Sequence, residues 1–408
     1  MRRVALILLC AALGLPTPSA AYRIVSVHGL PIHDLERTGH VADPRTAPGI
    51  PFVSFEFYDA EQDRVEVYLG RLEGGGDLPE RVSSIRAVTG RPAAGPFRLD
   101  TGFRPQSEGA RFGPPKRGRP RLVATVTRRT AFRGAVRINL DVLLLEPGRR
   151  RYLTVHPEND AQPDIAPEGH AVVFTSGRTG QGDLYAVRLT GSSAKPIRLT
   201  FDAGGSELYP AWSPDGRRVA YVGHAAGTDH VYVLSDVPRI LAEPSEASRR
   251  RWVRASSRDL TPNWKGACLA PSFSPDGRWI AFFSRSNEGD PADLYVVPVE
   301  GGRPRLRYSG AVPPTRGGPR WSPRSDGWIV VRDDADRMNP LVWVPLDPAG
   351  EPRTLLTGTQ LNTDPWMTEW KDRVVVLFTA QGSSGSVHKR WRTLYVALLA
   401  EAPVETPR

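Results

Sequence analysis

One short pattern constrains this chain more than any other. Tyr209-Pro210-Ala211-Trp212-Ser213-Pro214-Asp215-Gly216, then Arg217-Arg218-Val219-Ala220-Tyr221-Val222, reads as a strand, a forced turn and a second strand. Pro214 presets φ for the turn, Asp215 can accept bonds from nearby amides, and Gly216 takes the positive φ that reverses the chain. Alternation over 218–222 fits a strand packed on one or both faces. The pattern recurs at 270–277, with Ser274-Pro275-Asp276-Gly277 ahead of Trp279-Ile280-Ala281-Phe282-Phe283. Looser copies lie at 318–327, at 162–169 and from Asp364-Pro365-Trp366. Each copy precedes an aromatic strand: Asp183-Leu184-Tyr185, His230-Val231-Tyr232, Asp293-Leu294-Tyr295, Leu341-Val342-Trp343 and Leu394-Tyr395-Val396.

These repeats resemble the TolB-type β-propeller repeat, a relative of the Trp-Asp propeller repeats, clearly over 110–400 and weakly over 45–95. The resemblance implies an all-β propeller of four-stranded blades. The third-strand markers start near 139, 183, 230, 293, 341 and 394, spaced by 44, 47, 63, 48 and 53 residues, so six blades are marked. The long interval holds an insertion near 236–258 containing Arg249-Arg250-Arg251-Trp252, read as a solvated loop. Phe52-Val53-Ser54-Phe55-Glu56-Phe57-Tyr58 and Val65-Glu66-Val67-Tyr68-Leu69 look like strands two and three of a further, diverged blade. Seven blades are therefore expected; the alternative is six plus a small N-terminal domain. Residues 101–118 read as a Pro/Gly/Arg loop between blades. TolB proteins carry an N-terminal α/β domain, whereas 22–100 show no helix of useful length. The last blade lacks an outer strand of its own. Tyr22-Arg23-Ile24-Val25-Ser26-Val27 could supply it, closing the ring and leaving no long edge open.

The first residues add a location. Arg2-Arg3, an apolar run over 4–15 and Ser19-Ala20-Ala21 form a signal peptide, with 1–21 removed and 22–408 left as one domain. The run is too short to span a bilayer. Cleavage removes Cys10 and leaves Cys268 alone, so the core rather than a disulfide must hold the fold. The net charge of +10 rests on arginine, since only Lys116, Lys195, Lys265, Lys371 and Lys389 are lysines. With export, that bias does not point to nucleic acid.

Chemistry is sparse. Three residues before each strand-one proline stand Asp160, Glu207, Cys268, Arg316 and Asn362. The TolB-like pattern places Asn or Asp here, near the channel mouth; Cys268 and Arg316 depart from it, which argues against a symmetric ion site. Asp160, Glu207, Arg316 and Asn362, with His156 and His224, are the candidate binding residues. They could bond loop amides or form a mixed-charge rim that grips a peptide or a divalent cation. His156, His224, His230 and His388 lack metal-ligand spacing, and no Gly-x-Ser-x-Gly elbow exists. The resemblance thus implies a monomeric, periplasmic or secreted scaffold for a protein or peptide partner at the cell envelope, with no cofactor. The alternative is a carbohydrate-active lyase or hydrolase working at the channel mouth.

Overall fold

A computed structural model describes residues 21–32, 39–61, 63–88, 106–132, 135–190, 195–201, 205–225, 227–287, 289–334, 336, 338–382 and 391–402. Residues 1–20 of the expected leader and His388 lie outside them. The architecture is all-β, built from antiparallel sheets whose strands follow one another in chain order, except that the first strand joins the last sheet. Five sheets have four strands and one has seven. The large sheet is two successive units sharing an edge, where Arg305–Val312 meets Gly327–Arg332 through Ala311–Arg332 and Val312–Val331. Phe52–Asp59 and Arg64–Glu73 occupy the second and third positions of the first sheet.

The turn motif works by one mechanism in each copy. The Gly216 amide donates to the Ser213 carbonyl at 2.9 Å, and Gly216 adopts φ +65°. Asp215 accepts from the Arg217 amide at 3.0 Å, while Ser213 Oγ accepts from the Arg218 amide at 2.9 Å. Gly277 closes the same loop on Ser274 at 2.8 Å, Gly169 on Ala166 at 2.7 Å and Ser325 on Ser322 at 3.1 Å. The repeat is therefore a hydrogen-bond device, and its aspartates are spent on backbone amides.

Neither face of a sheet can be buried by that sheet alone, so the core lies between sheets. Seven apolar clusters fill the gaps between successive units. Val67 and Leu69 meet Leu122 and Leu143; Val123 and Leu144 meet Val172 and Phe174; Val173 and Leu184 meet Trp212 and Tyr221. Val222 and Val231 meet Phe273 and Phe282; Ala281 and Leu294 meet Trp321 and Trp328; Ile329 and Trp343 meet Val376 and Phe378. The seventh cluster joins Leu377 and Val396 of the last sheet to Val53 and Phe55 of the first. In that last sheet Ala21–Gly29 lies antiparallel to Thr393–Ala402, in register from Ala21–Ala402 to Gly29–Tyr395 with one shift at Ile24/Ser26.

Two expectations are corrected. The stretch 101–118 is not a loop throughout, because Ser107–Lys116 is the innermost strand of the second sheet. An innermost strand has no neighbour on its inner side, so Pro114 and Pro115 do not disqualify it. The 236–258 insertion is not a solvated loop either. It forms the helices Val237–Ala242 and Glu246–Ser256, the second capped by Ser245, whose side chain accepts from the Ser248 amide at 3.3 Å. Val237, Ile240, Leu241 and Val253 bury against the Trp212 cluster, and the Arg239 guanidinium stacks 3.6 Å from the Trp252 ring centroid. Among the described residues, no helix is long and apolar enough to cross a membrane.

Candidate functional site

A repeated network ties the strand ends together and consumes most of the acidic candidates. In three successive units an acidic or imidazole side chain of the third strand meets a partner in or just after the fourth. Thr154 Oγ1 donates to Asp141 at 3.1 Å and accepts from the Val142 amide at 2.9 Å. Thr200 Oγ1 likewise accepts from the Leu184 amide and lies 3.3 Å from Asp183. In the next unit His230 Nδ1 lies 2.7 Å from Asp259, and Thr261 accepts from the Val231 amide at 2.9 Å. His230 is thus part of the framework.

The six candidate residues separate on this background. Asp160 is fully buried and takes both oxygens to Arg178 Nη2, at 2.9 Å each. Glu207 is buried and accepts from Thr200 Oγ1 at 2.9 Å. Asn362 is buried, donating to the Met338 and Asn339 carbonyls at 3.2 and 3.0 Å. His156 is half-buried, and its Nδ1 accepts from the Glu158 amide at 3.1 Å. His224 is exposed beside Asp229, at 2.9 Å. Arg316 alone of the six lines a central cavity of about 1580 Å³. Cys268 is buried, and burial pushes its thiol up, away from reactivity. Among the described residues, no three His, Cys, Asp or Glu side chains gather as a metal site would require.

The cavity wall has a periodic construction. In six sheets the innermost strand breaks register, and pairing resumes at Arg45, Arg111, Asp164, Ala211, Ser272 and Trp366. Arg320 fills the equivalent place in the remaining unit, directly after its strand-one proline. All seven line the cavity. The residue two before the resumed pair is left-handed at Asp43 (φ +46°), Gln162 (+55°), Tyr209 (+57°) and Asp364 (+52°), each directly preceding a proline. Non-glycine residues rarely hold such angles, and bulges re-aim side chains next to sites. Here each bulge turns the next residue inward.

The ring is lopsided. Arg320, Trp366, Arg45, Arg111 and Asp164 follow one another around one side, while Ala211 and Ser272 leave the other side open. The Arg45 and Arg320 guanidiniums lie 5.3 and 5.2 Å from the Trp366 ring centroid. Both pair with Asp43, at 3.0 and 2.7 Å, and both donate to the Arg316 carbonyl. The Arg316 side chain reaches to Glu56 at 3.4 Å and to Glu108, and Glu56 accepts from the Gly109 amide at 2.7 Å. Burial opposes charge on Asp43, yet Arg45, Arg320 and Arg111 hold its carboxyl below the usual range. Burial, with the Asp43 charge, instead pushes Glu56 up to about 7 against the pull of Arg316. Burial also raises the Asp164 carboxyl, which accepts from the Trp212 amide at 2.7 Å.

Glu56 gives a pH signature. Its folded pKa of about 7 exceeds the ordinary 4.5, so the folded chain holds the extra proton between those values. Its contribution to stability falls as pH rises through that window, by about 3 kcal/mol in all. Glu56→Gln, which can still accept from Gly109, should flatten urea midpoints between pH 5 and 8. An unchanged slope would remove Glu56 as the cause.

Sequence reasoning missed Asp43, Arg45, Glu56, Glu108, Arg111, Arg320 and Trp366 as a site. The signal was one residue beyond the aligned prolines, and Asp43-Pro44 belonged to the same series.

No family model matches the chain. It is 31% identical over 122 residues to the uncharacterised peptidase YuxL of Bacillus subtilis, covering 30% of this chain and 16% of that protein. An uncharacterised protein of Agrobacterium fabrum is 29% identical over 138 residues, covering 34% and 44%. A TolB homologue of Chlorobaculum tepidum is 26% identical over 133 residues, covering 33% and 25%. These matches span less than half the length of each relative. Among solved structures, oligogalacturonate lyase from Vibrio parahaemolyticus aligns with a TM-score of 0.51 at 11% identity, over 93% of this chain and 98% of that one. TolB from Acinetobacter baumannii aligns with a TM-score of 0.41 at 14% identity, over 96% and 82%. At 11% identity the lyase shares the fold alone. Radial antiparallel sheets around a lined cavity define the class as a β-propeller. Within that class its Ser-Pro-Asp-Gly repeats are TolB-like, similar over about a third of the chain to proteins named TolB homolog.

Proposed function

We propose that the chain is a seven-bladed, closed propeller that serves as a protein-binding scaffold in the periplasm. Seven inter-sheet clusters and the pairing of Ala21–Gly29 with Thr393–Ala402 support the blade count and closure over six blades with a separate N-terminal domain. The domain runs over 22–408 once a leader of 1–21 is removed, and the scaffold is monomeric. Relatives named Tol-Pal system protein TolB in Francisella tularensis support an envelope role. The observation that carries the reading is the cavity wall. It presents Tyr209, Trp212, Trp366 and Trp370 beside five arginines, the residue types that dominate protein-binding hot spots. Asp160, Glu207 and Asn362 act behind this surface by fixing loop ends, and Arg316 acts on it. His156 and His224 frame the loops at the strand ends.

The test is capture of partners from an envelope extract by the mature chain, with and without chelator. Capture that survives chelator and is lost in the Trp366→Ala chain supports a scaffold. Turnover of an acidic oligosaccharide that chelator abolishes would replace it with a metal-dependent lyase.

A further inference from the structure

Five arginines line the cavity; Arg71 is exposed, and of the other four, three have acidic partners within the protein. Arg45 and Arg320 share Asp43, and Arg316 takes Glu56 and Glu108. Arg111 does not fit that scheme. Its recorded bond is from Nη1 to the Ala110 carbonyl at 3.0 Å, and among the described residues no carboxylate lies within ion-pair distance of it. It is half-buried and lines the cavity. Gly317, at φ +75°, sits against it: a Cβ there would lie 2.5 Å from Arg111 Nη2. The absence of a side chain at 317 leaves room for the guanidinium.

Leaving a cation without a partner inside a protein costs stability, and the cost persists only where something offsets it. Burial and the neighbouring Arg45 charge depress Arg111 to about 10, which records that cost. The guanidinium remains charged at neutral pH and offers a planar fork of donors to the cavity. We propose that Arg111 is the anchor of an anion site in the channel, and that the ligand it takes is a carboxylate. A guanidinium fork matches a carboxylate in a bidentate pair. The single negative charge also suits the surroundings. Asp43, Asp164 and Glu56 stand close enough to act on Arg111 electrostatically, and they would repel a phosphate dianion more than a carboxylate. The small residues Ala211 and Ser272 across the ring leave space for whatever carries the carboxylate. That carrier is either a free small acid or an acidic or C-terminal group of a peptide.

Thermal unfolding of the full mature chain in chloride-free buffer tests this. The probes are propionate, a hexapeptide with a free C-terminal carboxylate, the same peptide amidated, and inorganic phosphate. At roughly tenfold saturation a carboxylate probe should raise Tm by about 2 °C. Its amide should not. A shift at lower concentration with the acid peptide than with propionate identifies a peptide source; the reverse identifies a small acid. Arg111→Met should abolish the shift and leave the unliganded Tm equal or higher, because it removes a desolvated charge that no carboxylate pairs with directly. Arg111→Lys should keep part of the shift, having charge without the fork. A structural arginine would behave differently, since its loss would lower Tm. The proposal is overturned if Arg111→Met lowers the unliganded Tm and leaves the carboxylate shift intact. It is also overturned if no carboxylate probe shifts the wild-type chain, or if phosphate shifts it more than both. None of these outcomes depends on whether a partner is captured from the envelope extract.

Discussion

Trp343→Ala should cost about 3–5 kcal/mol, enough to remove a large part of the stability of an ordinary domain. Trp343 is 1% exposed in the cluster between the sixth and last units. Its ring meets Tyr22 edge-on, with centroids 4.8 Å apart, so it packs against the strand nearest the N-terminus. Gly327 allows that fit, since a Cβ there would lie 2.7 Å from Trp343 Cη2. Truncation therefore opens a cavity at the seam between the chain ends. Trp343→Phe should cost markedly less. It keeps the aromatic contact and removes an indole N–H that has no hydrogen-bond partner among the described residues. Urea midpoints of the two variants give the comparison; equal losses would mean that the seam packs differently.

Asp43→Asn should rank beside it, at about 3–5 kcal/mol. Asparagine tolerates the +46° φ that this position requires, so the change isolates the charge. Removing the carboxylate leaves Arg45 and Arg320 buried without their shared partner, on segments separated by most of the chain. Adding Arg320→Met to Asp43→Asn should recover part of the loss, because one of the two stranded cations is then gone. A double-mutant cycle with no coupling would show that the pairs contribute nothing to the native state. The same substitution joins stability to the site, since Asp43 holds two of the seven inward-facing residues in place.

How much of this was legible depended on where the sequence spends its polar groups. The turns were readable because Ser213, Asp215 and Gly216 have one local job, and local geometry is written in consecutive residues. The apolar partition was readable for the same reason: Phe273, Trp321 and Trp212 recur at a fixed offset and bury between sheets. The strand Ser107–Lys116 was hidden by its Arg, Gly and Pro content. Its free inner side relaxes the usual veto on proline. The helix Glu246–Ser256 was hidden by its arginines, although Ser245 and the buried Val253 mark its cap and inner face. The site was the least legible part. Arg45, Arg111 and Arg320 are scattered over more than 270 positions and meet only because each takes the equivalent place in a different unit, Arg45 and Arg111 where pairing resumes after a bulge. A composition rich in arginine made none of the three conspicuous.

The ring itself is tested most directly by a covalent bond across its seam. Val27 and Ala397 face each other in the pairing that joins the two chain ends. Cys268, the native cysteine of the described residues, is buried far along the chain. The Val27→Cys, Ala397→Cys chain should form a disulfide under mild oxidation and melt at a higher temperature than its reduced form. Two free thiols after oxidation, or protease removal of 21–29 without loss of the folded core, would show that the ends do not meet.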